Sequence, residues 1–246
     1  MEKFKLDVRA FHRAIVRVKY AASADHAFTP LRGVCIRDKF VMATDGHRVA
    51  IAQIVPITGS PDLTLSLESL ALISRVYKTG EIEICVSSDG ATATQDGKII
   101  HIYQLFASTL SLNPQQKNEY PEVFDLLPKK IKYRGLLKKK VAIESLNIIR
   151  KINALTGSSE SCYLLSRNND SAVYASTCTF CPVPLKVQVG EGGIKGSFKI
   201  KVNPKYIIDA LKGALNKEAV LKFYGEEDAL GISGKASNHY VMPLRF

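Results

Sequence analysis

Phe4-Lys5-Leu6-Asp7-Val8, followed by Arg9-Ala10-Phe11-His12-Arg13-Ala14-Ile15-Val16-Arg17-Val18-Lys19-Tyr20, reads as a short strand running into an amphipathic helix. Apolar residues alternate through Phe4, Leu6 and Val8, the period of a half-buried strand. From Arg9 the period lengthens. Ala10, Phe11, Ala14, Ile15 and Val18 share one face, while Arg9, Arg13 and Arg17 form a separate stripe at i, i+4 and i+8. Strand-like segments follow at Gly33–Arg37, Phe40–Ala43 and Val49–Ile54. Strand, helix and hairpin-linked strands thus form one unit.

The unit returns along the chain. It restarts at Leu63–Leu67 with a helix near Ser69–Lys78 and strands at Ile82–Ser87, Ala91–Gln95 and Ile99–Phe106, joined by the turn signals Asp89-Gly90 and Asp96-Gly97. A third copy is expected to begin with a strand at Val141-Ala142-Ile143-Glu144. Its helix is placed near Leu146–Leu155 and its strands at Cys162–Ser166, Ala172–Ser176 and Leu185–Val189. The fourth begins at Phe198–Val202 and opens its helix with Asn203-Pro204, an N-cap followed by proline at the first helical position. That helix is read to about Leu215, with closing strands at Ala219–Tyr224, Ala229–Ser233 and His239–Leu244. The polar, then proline- and lysine-rich stretch Ser108–Lys140 separates the halves, which gives two domains, 1–122 and 123–246, of α+β class.

Each helix projects a basic outer face. The expected exposed sets are Arg9, Arg13 and Arg17; Ala71, Ser74, Arg75 and Lys78; Asn147, Arg150, Lys151 and Ala154; and Lys205, Asp209 and Lys212. The expected buried partners include Leu70, Leu72, Ile73, Val76 and Tyr77, then Ile148, Ile149, Ile152 and Leu155, then Ile207, Ile208, Leu211 and Leu215. One acid, Asp209, interrupts these outer faces. An ordinary solvated helix mixes charge signs, because like charges one turn apart repel. With a formal net charge of +11 and a pI near 9.4, this bias points to a polyanion, and duplex phosphates fit it through sequence-independent charge neutralisation. The chain has no tryptophan and no aromatic stripe on the outer faces, which disfavours single-strand stacking.

Other features narrow the class. Apolar residues make up 46% of the sequence, as in a folded globular protein, and no apolar run reaches membrane-spanning length. The start Met1-Glu2-Lys3-Phe4-Lys5 does not read as a secretory signal, and five scattered cysteines fit reduced thiols, so a cytoplasmic location is expected. Cys178-Thr179-Phe180-Cys181 is a lone C-x-x-C without a second ligand pair, and Gly190–Gly196 lacks the G-K-[ST] ending of a phosphate loop. Asp7, Asp45 and Asp89 sit in separate hairpins or strand ends. No catalytic constellation, metal site or cofactor is therefore expected.

Two further stretches carry a resemblance. Ala43-Thr44-Asp45-Gly46-His47-Arg48 and the apolar end Tyr240-Val241-Met242-Pro243-Leu244-Arg245-Phe246 resemble the T-D-G-H-R turn and the closing V-M-P-M-R-L segment of the bacterial DNA polymerase III β sliding clamp family. The resemblance covers nearly the whole chain and corresponds to the family's middle and carboxy-terminal domains. The family's first domain has no counterpart in these residues, which fits either a natural two-domain clamp or a fragment. It implies the DNA clamp fold, with helices lining a ring interior and sheets outside. It also implies a non-catalytic processivity factor that encircles double-stranded DNA without reading sequence. Family rings close with six domains, so a two-domain protomer implies a homotrimer, opened by a separate clamp loader.

By the same resemblance, one hydrophobic cleft captures the replicative polymerase and other proteins carrying a clamp-binding motif. Leu31, Thr44, Gly46, His47, Arg48 and Val49 would form one part. Pro121 and Leu126 match the family's interdomain segment, Asn203 and Tyr206 its N-x-x-Y helix start, and Tyr240, Met242, Pro243, Leu244 and Arg245 its tail. The DNA-facing set would be Arg9, Arg13, Arg17, Arg75, Lys78, Arg150, Lys151, Lys205 and Lys212. Three departures stand out: Asp125 replaces a common basic residue, Leu244 and Phe246 replace Met and Leu, and Ala107–Glu119 is long. Two rival readings differ in kind. A DNA-processing hydrolase would need clustered carboxylates, and an incomplete clamp-like interaction protein, phage or mobile-element encoded, would bind client peptides without encircling DNA.

Overall fold

In the computed structural model, which describes residues 2–25, 29–87, 90–102, 120–156, 161–166, 173–176, 185–188 and 198–244, each of the four repeats feeds a strand into a helix with at most one residue between them. Contacts divide the chain into two units, Met1–Glu122 and Val123–Phe246. Unit 1 runs β1 (Glu2–Asp7), α1 (Val8–Val18), β2 (Gly33–Arg37), β3 (Phe40–Thr44), β4 (Arg48–Gln53), β5 (Asp62–Ser66), α2 (Leu67–Val76), β6 (Glu81–Ser87), β7 (Gly90–Gln95) and β8 (Lys98–Ile102). Unit 2 runs β9 (Tyr133–Lys138), α3 (Lys139–Thr156), β10 (Cys162–Ser166), β11 (Val173–Ser176), β12 (Leu185–Gln188), β13 (Phe198–Val202), α4 (Pro204–Gly213), β14 (Glu218–Phe223), β15 (Leu230–Gly234) and β16 (Ser237–Val241).

The repeats interlock by exchanging their first strands. In unit 1, β1 leaves its own hairpins and pairs antiparallel with β6 of the second repeat, giving the order β1-β6-β7-β8. In return β5 pairs with β2, giving β5-β2-β3-β4. Unit 2 repeats the exchange: β9 pairs with β14 in the order β9-β14-β15-β16, and β13 pairs with β10 in the order β13-β10-β11-β12. The exchange draws the two repeats of each unit around one core. In unit 1 that core includes Phe4, Leu6, Phe11, Ile15, Val34, Ile36, Leu65, Ile73, Ile82 and Ile84. In unit 2 it includes Leu137, Leu146, Ile149, Leu164, Ile200, Ile208, Leu211, Leu221 and Ile232.

Short polar side chains start α1, α2 and α4. Asp7 accepts from the Ala10 amide at 2.7 Å, Ser66 from Ser69 at 3.1 Å and Asn203 from Lys205 at 2.9 Å. Such caps contribute about 1 kcal/mol each.

The third repeat departs from the sequence reading. Val141–Glu144 is helical, inside α3, and the strand that opens the repeat is β9. Tyr133, Gly135 and Leu137 take the more buried positions of β9 while Arg134, Leu136 and Lys138 are exposed, so a glycine at an inner position hides the alternation. The earlier start rotates the face assignment. Ala142, Ser145, Leu146, Ile149 and Asn153 are buried, whereas Ile148 is 48% and Leu155 is 87% exposed. Two smaller differences are alike in kind: Leu72 is exposed on α2, and Leu215 lies beyond the end of α4 and is exposed. At the chain end, β16 stops at Val241, before the expected Leu244, because Pro243 has no amide to continue the ladder.

Candidate functional site

Asp45 and Thr44 build the turn between β3 and β4. The Asp45 carboxylate accepts the amides of His47 and Arg48, both at 3.0 Å, and receives the Arg48 guanidinium at 2.8 Å through its second oxygen. The Thr44 hydroxyl accepts from the Gly46 amide at 3.1 Å and donates to the Arg48 carbonyl at 2.7 Å. Gly46 has φ +85°, a conformation that suits glycine. The outcome separates roles within the motif. Thr44 and Arg48 are buried and hold the turn, while Gly46 and His47 are exposed on it.

The other unit 1 residues are tied to the same place. Arg48 Nη2 donates to the Tyr20 carbonyl at 2.7 Å, and its guanidinium carbon lies 5.2 Å from the Tyr20 ring centroid. Three residues on, the Ser23 amide donates to the Leu31 carbonyl at 2.7 Å. Pro121 is held between two anchors. Tyr120 is buried, and burial pushes its hydroxyl pKa well up beside Cys35 and the Thr44 backbone. Glu122 receives Arg37 at 2.6 Å, and Arg37 also binds Asp62 at 3.1 Å. Burial likewise raises the Cys35 thiol, to about 11. Unit 1 thus gathers Leu31, the Thr44–Val49 turn and Pro121 around one scaffold. Tyr20 and Tyr120 belong to that scaffold without having been named as site residues from sequence, and Asp45, part of the quoted motif, was not given the role of holding the turn.

In unit 2 the tail is docked. Past β16, the Leu244 amide donates to the Lys201 carbonyl on β13 at 2.8 Å, which carries the chain beside the β13–α4 junction. Asn203 is engaged there as the α4 cap, and half-buried Tyr206 packs on the unit 2 core. Tyr240 tilts against Tyr224 at 6.4 Å, and burial together with Tyr240 drives the Tyr224 hydroxyl pKa far above its ordinary value. The Tyr224 ring covers Gly231, where an added Cβ would meet it at 3.1 Å. Met242 is 43% exposed, with Pro243 and Leu244 half-buried. Leu126, on a separate 3-10 turn at Val123–Leu126 that also carries Asp125, is 73% exposed. Arg245 and Phe246 lie outside the described residues, as do Cys178–Cys181, Gly190–Gly196 and Ala107–Glu119.

The helices place their cations outward. Arg9, Arg13, Arg75, Arg150, Lys151, Lys205 and Lys212 are exposed on them, Lys78, expected on the second helix, is exposed just past the end of α2, and Arg17 is half-buried, its pKa lowered by burial and by Arg13. The observed helix bounds correct the charge pattern in both directions. Glu68 and Glu144 join Asp209 as acids on the helices, Lys140 joins the exposed bases of α3, and half-buried Lys139 adds a base at its start. Lys139 sits at the start of α3 and donates to the Ala214 carbonyl at 3.0 Å, and burial lowers its pKa. Between α1 and α2 runs a groove of about 720 Å³ lined by apolar Ile15, Leu67 and Leu70 together with Lys19, Arg75 and Lys78.

One group on α1 has its protonation shifted by the fold. Partial burial, then the charge of Lys78, lower the His12 pKa below its ordinary 6.5. The unfolded chain therefore binds this proton first as pH falls. Stability that is fully present above 6.5 should be lost as pH falls through the folded-state value. Denaturation midpoints between pH 7 and 5 should fall less steeply for His12→Gln than for the parent, and identical slopes would contradict this assignment.

No protein-family model matches the chain. The curated beta sliding clamp of Staphylococcus aureus is 21% identical over 258 aligned residues, covering 99% of this chain. Among solved structures, the DNA polymerase III beta subunit of Thermotoga maritima superposes with TM-score 0.82 at 22% identity, covering 100% of this chain and 66% of that one. The beta subunit from Streptococcus pyogenes DNA polymerase gives 0.84 at 17% identity, with the same coverage. This is the DNA clamp fold. The chain spans 64% of the length of the curated relatives it matches. The strand exchange within each unit is thus an expression of the clamp fold. No helix among the described residues is long and apolar enough to cross a membrane.

Proposed function

We propose that this protein is a DNA sliding clamp, a non-catalytic processivity factor that surrounds duplex DNA and tethers a polymerase. The observation that carries the reading is similarity to beta sliding clamps along 99% of the chain, joined to exposed arginines and lysines on all four described helices. Clusters of this kind bind phosphate by displacing counterions and do not read bases. Arg9, Arg13, Arg17, Arg75, Lys78, Arg150, Lys151, Lys205 and Lys212 are the proposed DNA-facing set.

In this reading the two units are the counterparts of the relatives' last two domains, and three copies form a closed ring that a separate loader opens. The client surface takes Leu31, Gly46, His47, Val49 and Pro121 from unit 1, with Thr44 and Arg48 holding the turn. Leu126, Asn203, Tyr206, Tyr240, Met242, Pro243, Leu244 and Arg245 come from unit 2. Exposed Leu126 and Met242 offer apolar contact, and methionine adapts to several clients. Asp125, also exposed, would favour clients with a basic flank. Replication in the cytoplasm follows from the same reading.

Native mass measurement tests the assembly: three times the 27.1 kDa chain mass is expected. Loaded on nicked circular DNA, the protein should resist a salt wash and be released when the circle is linearised. A monomer that binds client peptides but is not retained on circles would instead establish the incomplete clamp-like interaction protein. Charge reversal of Arg13, Arg150 and Lys205 to Glu should abolish retention while the far-UV spectrum stays unchanged. Retention by that variant would remove the helices from the reading.

A further inference from the structure

The described contacts of the unit 1 client wall converge on the short segment that follows α1. Residues Lys19–Ala21 form a 3-10 turn directly after the helix. From this segment, the Tyr20 carbonyl receives Arg48 Nη2, the Tyr20 ring lies under the Arg48 guanidinium, and Ser23 holds the Leu31 carbonyl. Arg48 in turn reaches the Asp45 carboxylate that secures the His47 amide. A chain of direct contacts therefore runs Tyr20, Arg48, Asp45, His47. Tyr20 also lines the groove between α1 and α2, alongside Lys19 and Arg75, so it stands between the basic helix face and the client wall.

We propose that Tyr20 is the positioning residue of the client surface: it fixes the plane of Arg48, and Arg48 fixes the turn that presents His47 to a bound peptide. The proposal rests on the sliding-clamp reading for the identity of the peptide but not for the contacts. Arg48 suits the task because a planar guanidinium can stack on a ring while two edges donate to a carbonyl and a carboxylate. A lysine would keep the charge and lose the fork. The carbonyl contact survives any side-chain change at position 20, so substitution there isolates the ring.

The test uses the full chain with Tyr20→Leu, Tyr20→Phe and Arg48→Lys. Two readouts are followed: amide hydrogen exchange at His47 relative to Ile84 in the unit 1 core, and affinity for a fluorescein-labelled peptide copied from the clamp-binding segment of a bacterial replicative polymerase. Tyr20→Leu should speed exchange at His47 with Ile84 unchanged, and should weaken the peptide by about threefold to tenfold, the range of a guanidinium–ring contact. Tyr20→Phe keeps the ring and should restore both values, while Arg48→Lys should resemble Tyr20→Leu. Exchange that rises equally at His47 and Ile84, or that stays at the parent level in Tyr20→Leu, overturns the proposal. If the parent chain binds no such peptide, the sliding-clamp reading loses its client surface, and His47 exchange alone still decides whether Tyr20 positions the turn.

Discussion

Asp45→Ala should destabilise the protein by about 2–3 kcal/mol, out of proportion to a change in a surface turn, where substitutions usually stay near 0.5 kcal/mol. One carboxylate accepts two backbone amides and faces a guanidinium whose side chain is only 10% exposed. Removing it leaves Arg48 with its carbonyl partner and ring but no counter-charge, the costly half of breaking a buried pair. Partial solvent access to both groups places the expected value below the range for fully buried pairs. Asp45→Asn keeps an acceptor oxygen for the amides and should lie between alanine and parent. In Asp45→Ala with Arg48→Met, the stranded charge is gone, so part of the loss should return. Urea midpoints at constant slope measure all three. A loss under about 0.5 kcal/mol for Asp45→Ala would mean that water replaces the carboxylate at no cost, against the geometry described.

That turn also marks where sequence was legible and where it was not. Asp-Gly announces a tight turn, and Thr44-Asp45-Gly46-His47-Arg48 matches the clamp pattern. Nothing in the string says that Thr44 and Arg48 point into the turn or that Arg48 lies on Tyr20, 28 positions earlier. Long-range partners of this kind have no local periodicity to betray them. The strands Gly33–Arg37, Cys162–Ser166 and Phe198–Val202 were legible to the residue, because β-branched or aromatic residues are bounded by clear turn or cap signals. The Asn203-Pro204 start of α4 was equally clear. The exchange of first strands was not, since a strand's own pattern specifies a buried face and not the repeat that supplies its neighbour. The observed strand pairings supply that part.

Ile149→Ala should cost about 2–5 kcal/mol while Ile148→Lys, its immediate neighbour, should stay within about 0.5 kcal/mol of the parent. Read from sequence, the two isoleucines share a buried face; the observed start of α3 at Lys139 separates them. Ile149 is fully buried with Ala142 and Leu146, two turns and one turn before it, and with Leu164 and Leu211 in the unit 2 core. Truncating it leaves a cavity that packed neighbours on strands and on α4 can fill only in part. Ile148 is 48% exposed on the side that carries Lys151, Glu144 and Lys140, so a lysine there can extend into water. Val141→Lys offers an independent check, because position 141 is exposed in the helix but would share the face of Ile143 in a strand at Val141–Glu144. Chemical denaturation of the three variants distinguishes the arrangements: equal losses at 148 and 149 would return the repeat to the shorter helix. If Ile148→Lys is neutral, it also adds a cation to the proposed DNA-facing surface of α3, and retention on circular DNA should then persist to higher salt.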